Sequence, residues 1–203
     1  MIYIVDTETN GLPAYFYPKH QHFKDWPEMV SIAYRQETEG VDSKTVEHII
    51  QAQNFLISPS STAIHGITQE KSMTEGIEIK KALKTFLEVL MKDDDPILCA
   101  YNMEFDKGIL LSECYRNNLI KEAEYLSGPA VQWVCLMKRA HGVLKRKRYH
   151  KFLKLKECVD EMKARKLVSE NLNHLLEFHT ASGDVAAAAL VLRGIVALEQ
   201  ANS

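Results

Sequence analysis

The sequence predicts an α/β fold, a mixed central sheet of about five strands with the first three antiparallel, flanked by helices. Three observations carry this. Residues 2–5, 29–35, 45–52, 96–100 and 131–135 are short runs rich in β-branched or other apolar residues, each bounded by polar or turn-forming stretches. The second and third runs are joined by the polar Glu37-Thr38-Glu39-Gly40, which suits a hairpin beside the first strand. The last two runs enclose a helical segment, and strand, helix and strand in succession imply a crossover between parallel neighbours.

In chain order, residues 2–5 form a buried strand that ends at Asp6 and opens into a loop marked by Asn10-Gly11. Ser58-Pro59-Ser60-Ser61 is a polar break. After it, residues 69–91 carry Ile77, Ile79, Leu83, Phe86 and Leu90 at helical spacing, so one amphipathic helix is expected there. Residues 96–100 give a second buried strand, followed by a helix over 104–117 and a strand over 131–135. The final helix, over residues 183–199, is apolar on nearly every face through Val185, Leu190, Leu192, Ile195, Val196 and Leu198, which requires deep burial. Neither internal repeats nor low-complexity tracts interrupt this order.

With 203 residues, 46% of them hydrophobic, the chain can bury one sizeable core, and residues 1–203 read as a single domain. The formal charge of −2 says little about partners, because a small total can hide a local positive surface. Cys99, Cys114, Cys135 and Cys158 lack both the close pairing of a zinc site and the density of a disulfide scaffold, so they read as buried or free thiols in a reducing compartment. The opening Met-Ile-Tyr-Ile-Val has no basic region and too short an apolar run for a signal peptide or membrane span. A soluble, cytoplasmic protein is expected.

Asp6 and Glu8 lie two apart at the end of an apolar strand, which places both carboxylates on one face. Such a pair repels unless a cation sits between. Asp106 follows the second buried strand at the start of its helix, and Asp184 precedes the alanine run of the final helix. Acids in a first helical turn commonly serve only to complement the macrodipole. Here all four stand at the ends of buried elements, where surface acids would not cluster. His179 and Asp184 are five apart, about 140° around a continuous helix. They can meet only if His179 sits on the loop before the helix, with Ser182 as its N-cap.

These residues together resemble the DEDDh nucleases of the ribonuclease H-like superfamily. Asp6-Thr7-Glu8-Thr9-Asn10-Gly11-Leu12 is similar to that family's first exonuclease motif, Asn102-x-x-Phe105-Asp106 to its second, and His179-x-x-x-x-Asp184 to its third. Ile64-His65-Gly66-Ile67-Thr68 resembles its His-Gly-Ile segment. The order is right, and the likeness runs from residue 1 to about residue 197. The departures are Tyr101, where many members have His, and a long aromatic loop over residues 13–26.

The resemblance implies a ribonuclease H-like fold and a 3′–5′ exonuclease that releases nucleoside 5′-monophosphates. By it, Asp6, Glu8, Asp106 and Asp184 hold two divalent cations, magnesium with manganese able to substitute, against the terminal phosphodiester. His179 is implied as the general base, so activity should rise with pH through the ordinary imidazole range near about 6.5. Contacts to the terminal nucleotide are implied for Thr9, Asn10, Gly11, Leu12, Ile64, His65, Asn102 and Phe105. DNA with a single-stranded or frayed 3′ end is the favoured substrate. An exoribonuclease and an inactive, polymerase-associated binding module are the alternatives, and both homodimerisation and polymerase association are compatible with the sequence.

Residues 138–156 contain no acid and many cations, including Lys145, Arg146, Lys147 and Arg148, which fits a phosphate-binding strip leading to the site. A solvated loop and a nuclear import tag are the other readings. Tyr15, Phe16, Tyr17, His20, His22, Phe23 and Trp26 crowd the loop after the first motif, where they would stack on bases, form a partner interface or cover the end of the sheet.

Overall fold

The computed structural model describes residues 1–15, 19–38, 43–145, 151–168 and 177–201. Strand β1 (Ile2–Thr9) lies at the centre of a five-stranded sheet. On one side it pairs antiparallel with β2 (Met29–Glu37), which pairs antiparallel with β3 (Val46–Ile49). On the other side it pairs parallel with β4 (Ile97–Ala100), which pairs parallel with β5 (Gln132–Cys135). The order β3-β2-β1-β4-β5 is the mixed arrangement expected from the sequence, with the first three strands antiparallel. The Glu39 and Gly40 part of the expected hairpin connection lies outside the described residues.

Alternation along β1 divides the interior into two layers. Tyr3 and Val5 join a core with Leu83, Phe86 and Leu110, supplied by α3 (Ile79–Leu90) and α4 (Met103–Arg116). Ile4 joins the opposite core with Leu136, Val159 and Ala188, from α6 (Leu136–Val143), α7 (Leu155–Ala164) and α8 (Ala181–Ala201). The same alternation sends Asp6 and Glu8 toward the α8 side and Thr7 toward α4. Helix α8 is apolar and long enough to cross a membrane by length and composition, yet its apolar window is 56% buried inside this fold. All four cysteines are buried and none forms a disulfide.

The single helix expected over residues 69–91 is two helices, α2 (Gln69–Glu75) and α3. Between them Ile77 bridges Ile50 as a short parallel addition to the end of β3, with Ile77 N–H donating to Ile49 O and Gln51 N–H donating to Ile77 O, both at 2.9 Å. Gly76 makes this approach feasible, because a Cβ there would lie 2.7 Å from Gln51 N and 2.2 Å from Ser72 O. Ser58-Pro59-Ser60-Ser61 is likewise more than a break. Ser58 caps α1 (Pro59–His65) by accepting from Ser61 N–H, and the helix ends at Gly66 with φ of 73°. Helix α5 (Ile120–Ser127) completes the connection from α4 to β5.

One polar network is sealed within these layers. The buried Glu113 carboxylate, at the end of α4, accepts from Met29 N–H at 2.9 Å and pairs with Arg116. Arg116 donates to Phe23 O at 2.6 Å and Trp26 O at 2.9 Å, and it pairs with Glu28 at 3.1 Å. Burial pushes the Glu113 carboxyl up to about 7 against the opposing pull of Arg116. The loop after the first motif is thereby tied to α4. Trp26, within that loop, is buried against Gly108, where a Cβ would come within 1.9 Å of the indole. The indole covers helix α4 at Gly108, whereas the covering role expected of the aromatic loop is over the end of the sheet. Phe16 and Tyr17 lie outside the described residues.

Candidate active site

The carboxyl ends of parallel strands open a crevice in α/β sheets. Here the crevice lies where β1 and β4 end. One pocket is lined by Asp6, Thr7, Glu8, Tyr101, Asn102, Phe105, Asp106, Leu155, His179 and Asp184. Strand β1 supplies the first three, and the end of β4 with the first turn of α4 supplies Tyr101 through Asp106. The start of α7 supplies Leu155, and the entry to α8 supplies His179 and Asp184.

Asp6, Glu8 and Asp184 each offer a carboxylate oxygen within 4.8 Å of the others. Asp106 stands behind them, 3% exposed, with Oδ1 accepting from Thr7 N–H at 3.0 Å and Thr7 Oγ1 at 2.9 Å. Thr7, between the two strand acids but on the opposite face, therefore locks the helix acid to the strand that carries the other two.

Packing four acids together has an electrostatic consequence. Burial first, then the neighbouring Asp106, Asp184 and Glu8, holds Asp6 well above the usual carboxylate range. Burial with Asp184 and Asp106 pushes Glu8 up to about 8. Burial raises Asp106 to about 7 despite its two bonds from Thr7, and raises Asp184 despite a bond from the His179 amide. Glu47 on β3, facing Asp6 across Ala33 in the strand register, adds to the field at both Asp6 and Glu8. Only protons or a cation can relieve this repulsion. A converging all-oxygen set suits a hard divalent ion.

These raised values fix the sign of a pH effect. Each group binds its proton more tightly folded than unfolded, so its contribution to stability is complete below the unfolded value of about 4 and is lost as pH rises through the folded value. The melting temperature of chelator-treated protein should therefore fall between about pH 5 and pH 8. Magnesium should restore more of it at pH 8 than at pH 5. Thermal scans across that range with and without the ion check this, and a magnesium shift independent of pH would contradict it.

His179 occupies the loop before α8, as its spacing to Asp184 requires, with left-handed φ of 68° and an exposed side chain. Its amide donates to Asp184 Oδ1 at 3.2 Å. The helix is capped by Thr180 rather than Ser182: Thr180 Oγ1 accepts from Gly183 N–H at 3.1 Å, and Thr180 O accepts from Asp184 N–H at 2.8 Å. Because the cap sits two residues earlier, α8 includes Asp184 in its first turn and His179 stays outside it.

The remaining expected contacts divide. Asn102 and Phe105 line the pocket. Thr9, Asn10, Gly11, Leu12, Ile64 and His65 lie outside its lining but form one connected rim. Thr9 Oγ1 donates to Gly11 O at 2.7 Å, and Asn10 donates to Leu56 O at 3.3 Å while accepting from Glu28 N–H at 2.9 Å. Leu12 is 84% exposed and Ile64 60%, whereas His65 is 4% exposed with Nδ1 accepting from Ile67 N–H. His65 is therefore placed to brace the rim rather than to meet solvent. Leu56, 80% exposed on the same rim, and Leu155 carried no motif signal in the sequence.

Of the basic stretch, Arg146, Lys147 and Arg148 lie outside the described residues. Lys138 pairs with Glu104 at 3.0 Å, Arg139 with Glu199 at 2.7 Å and Lys156 with Asp160 at 3.1 Å. Lys145, Lys151 and Lys154 are exposed.

A family model for RNase_T exonucleases matches residues 3–192. No curated protein matches the chain by sequence. Among solved structures, Exonuclease X in complex with 5′ overhanging duplex DNA superposes with a TM-score of 0.60 at 22% identity, covering 100% of this chain and 94% of that one. Exonuclease I from Methylocaldum szegediense gives 0.68 at 18% identity over 96% of this chain. E. coli Exonuclease I in complex with a dA13 oligonucleotide gives 0.67 at 17%, also over 96%. This chain spans 40% of the length of either Exonuclease I. At these identities the likeness establishes a shared fold.

Proposed function

This chain belongs to the RNase_T exonuclease family, and on that premise we propose that it removes nucleotides one at a time from the 3′ end of DNA, releasing nucleoside 5′-monophosphates. The family depends on divalent metal. The observation that carries the reading is the convergence of Asp6, Glu8 and Asp184 oxygens within 4.8 Å, with His179 at the mouth of the same pocket. The single-stranded 3′ end is favoured by the exposed Leu12, Leu56 and Ile64 on the rim, because apolar side chains pack on any base face without reading its identity. DNA is favoured by the DNA-bound state of the structural relatives. Residues 1–203 are proposed to act as one domain.

In this mechanism Asp6, Glu8 and Asp184 would hold the divalent pair, with Asp106, steadied by Thr7, in support. Magnesium is the proposed ion, with manganese able to replace it. The ions, when bound, neutralise the charge that builds on the attacked phosphate and its leaving oxygen. His179 takes a proton from the attacking water at an exposed imidazole nitrogen, the P–O3′ bond breaks, and the leaving 3′-oxygen of the shortened strand takes a proton from solvent water. Asn102 and Phe105 orient the terminal nucleotide against the carboxylates.

The test uses 5′-labelled single-stranded DNA and RNA of matched sequence, incubated with magnesium or with chelator. A metal-dependent ladder shortening from the 3′ end, faster on DNA, is expected. Faster RNA shortening would transfer the reading to an exoribonuclease, and binding without any ladder would make the chain a binding module. In the same assay His179→Ala should lower turnover by about 10²–10⁴-fold, the usual worth of a general base. A variant with turnover near wild type would remove that role from His179.

A further inference from the structure

We propose that Tyr101 is a positioning residue that sets the enzyme's preference for a polynucleotide over a mononucleotide ester, by holding the segment of residues 151–155 against the mouth of the active site. The inference rests on the exonuclease reading above.

Tyr101 is 8% exposed at the end of β4. Its backbone is already fixed, since Tyr101 O accepts from Met137 N–H at 2.9 Å and from Cys135 Sγ at 3.5 Å. Its ring lies beside the pocket, and its hydroxyl donates to Leu153 O at 2.7 Å, across 52 positions of sequence. That bond pins the chain two residues before Leu155, the first residue of α7, which lines the pocket with Phe105. Lys154 is in turn held by its own amide, which donates to Glu157 Oε2 at 2.8 Å.

The consequence is electrostatic. The acidic floor needs its cations to receive a phosphate, so recognition of further phosphates must come from elsewhere. Lys151 and Lys154 are exposed on the pinned segment, and Lys154 adjoins the pocket-lining Leu155, about 3.8 Å away from Cα to Cα. Lys154, next to a pocket-lining residue, and Lys151 on the same pinned segment are the cations assigned to the phosphate next upstream of the scissile bond. A mononucleotide ester has no such phosphate. Leu155 and Phe105 would contact the terminal base in either substrate, whereas the lysines act only on a strand.

The experiment compares wild type and Tyr101→Phe on a single-stranded DNA oligonucleotide and on the p-nitrophenyl ester of thymidine 5′-monophosphate, both with magnesium. Loss of the hydroxyl, which meets Leu153 O and the Cys158 thiol, should raise the oligonucleotide KM about fivefold more than it raises the ester KM. Equal changes on both substrates, or none on either, would overturn the inference. A second variant guards against misfolding: Lys151→Gln combined with Lys154→Gln, both at exposed positions, should flatten the dependence of log KM on log salt by about 1.4 for a single strand. An unaltered slope also overturns it. Wild-type protein that releases nothing from the oligonucleotide would instead sink the exonuclease reading itself.

Discussion

Asp6→Asn is expected to lower turnover by on the order of 10⁴-fold while raising the thermal stability of the metal-free protein. The two effects have one cause. Asp6 is the acid most strongly crowded by others, facing Asp106, Asp184 and Glu8 in a buried site. The amide has nearly the same shape but no charge, so the repulsion stored in the folded state falls. The same change removes an anionic ligand from the triad whose oxygens converge within 4.8 Å, which weakens the hold on the ions. Turnover with oligonucleotide, and melting temperature with and without magnesium, read the two effects separately. The variant should also gain less stability from magnesium than wild type. A variant both inactive and destabilised without metal would mean that Asp6 supports the fold rather than holding an ion.

Arg116→Ala should cost about 3–5 kcal/mol of stability at neutral pH, the usual penalty for stranding one member of a buried ion pair. Glu113 keeps its bonds from Met29 and Asn117 but loses its cation, and Phe23 O, Trp26 O and Glu28 lose their donor. The pH dependence identifies the mechanism. Without Arg116 the folded-state carboxyl is held higher still, so its stabilising contribution is complete below the unfolded value of about 4.3 and is lost as pH rises through the folded value. The variant should approach wild type near pH 5 and fall furthest behind near pH 8. Denaturant melts at those two pH values check this, and an equal deficit at both would assign the loss to packing alone.

Five strands and their directions were legible in the sequence because each is a β-branched or apolar run beginning or ending at a turn signal, and because residues 104–117 separate the last two as a crossover. The motif acids were legible for a related reason, since strand period places Asp6 and Glu8 on one face without tertiary information. What was not legible depended on partners far along the chain. Gly76 falls inside the single helix expected over residues 69–91, and the break there depends on Ile50 and Gln51 lying against it. The short helices α1, α5, α6 and α7 are stabilised mainly by the layers they cover, a contribution that local propensity underreports. Residue type slightly favours Ser182 over Thr180 as the cap, and only the turn around Glu177 decides for Thr180. Leu155 had no motif at all; it lines the site as the first residue of α7, a helix placed by its packing on α8.

The carboxylate triad is drawn from residue 6 near one end of the chain and residue 184 near the other, and these meet only when α8 docks on β1. A ribosome-bound chain that has emerged only as far as α7 presents Asp6, Glu8 and Asp106 but lacks both His179 and the last acid. Pairings of such long range form late, because the loop they close must be ordered first. On the reading proposed above, the site is therefore incomplete until α8 has docked on β1, and a copy that stops at α7 lacks two of the five side chains assigned to it.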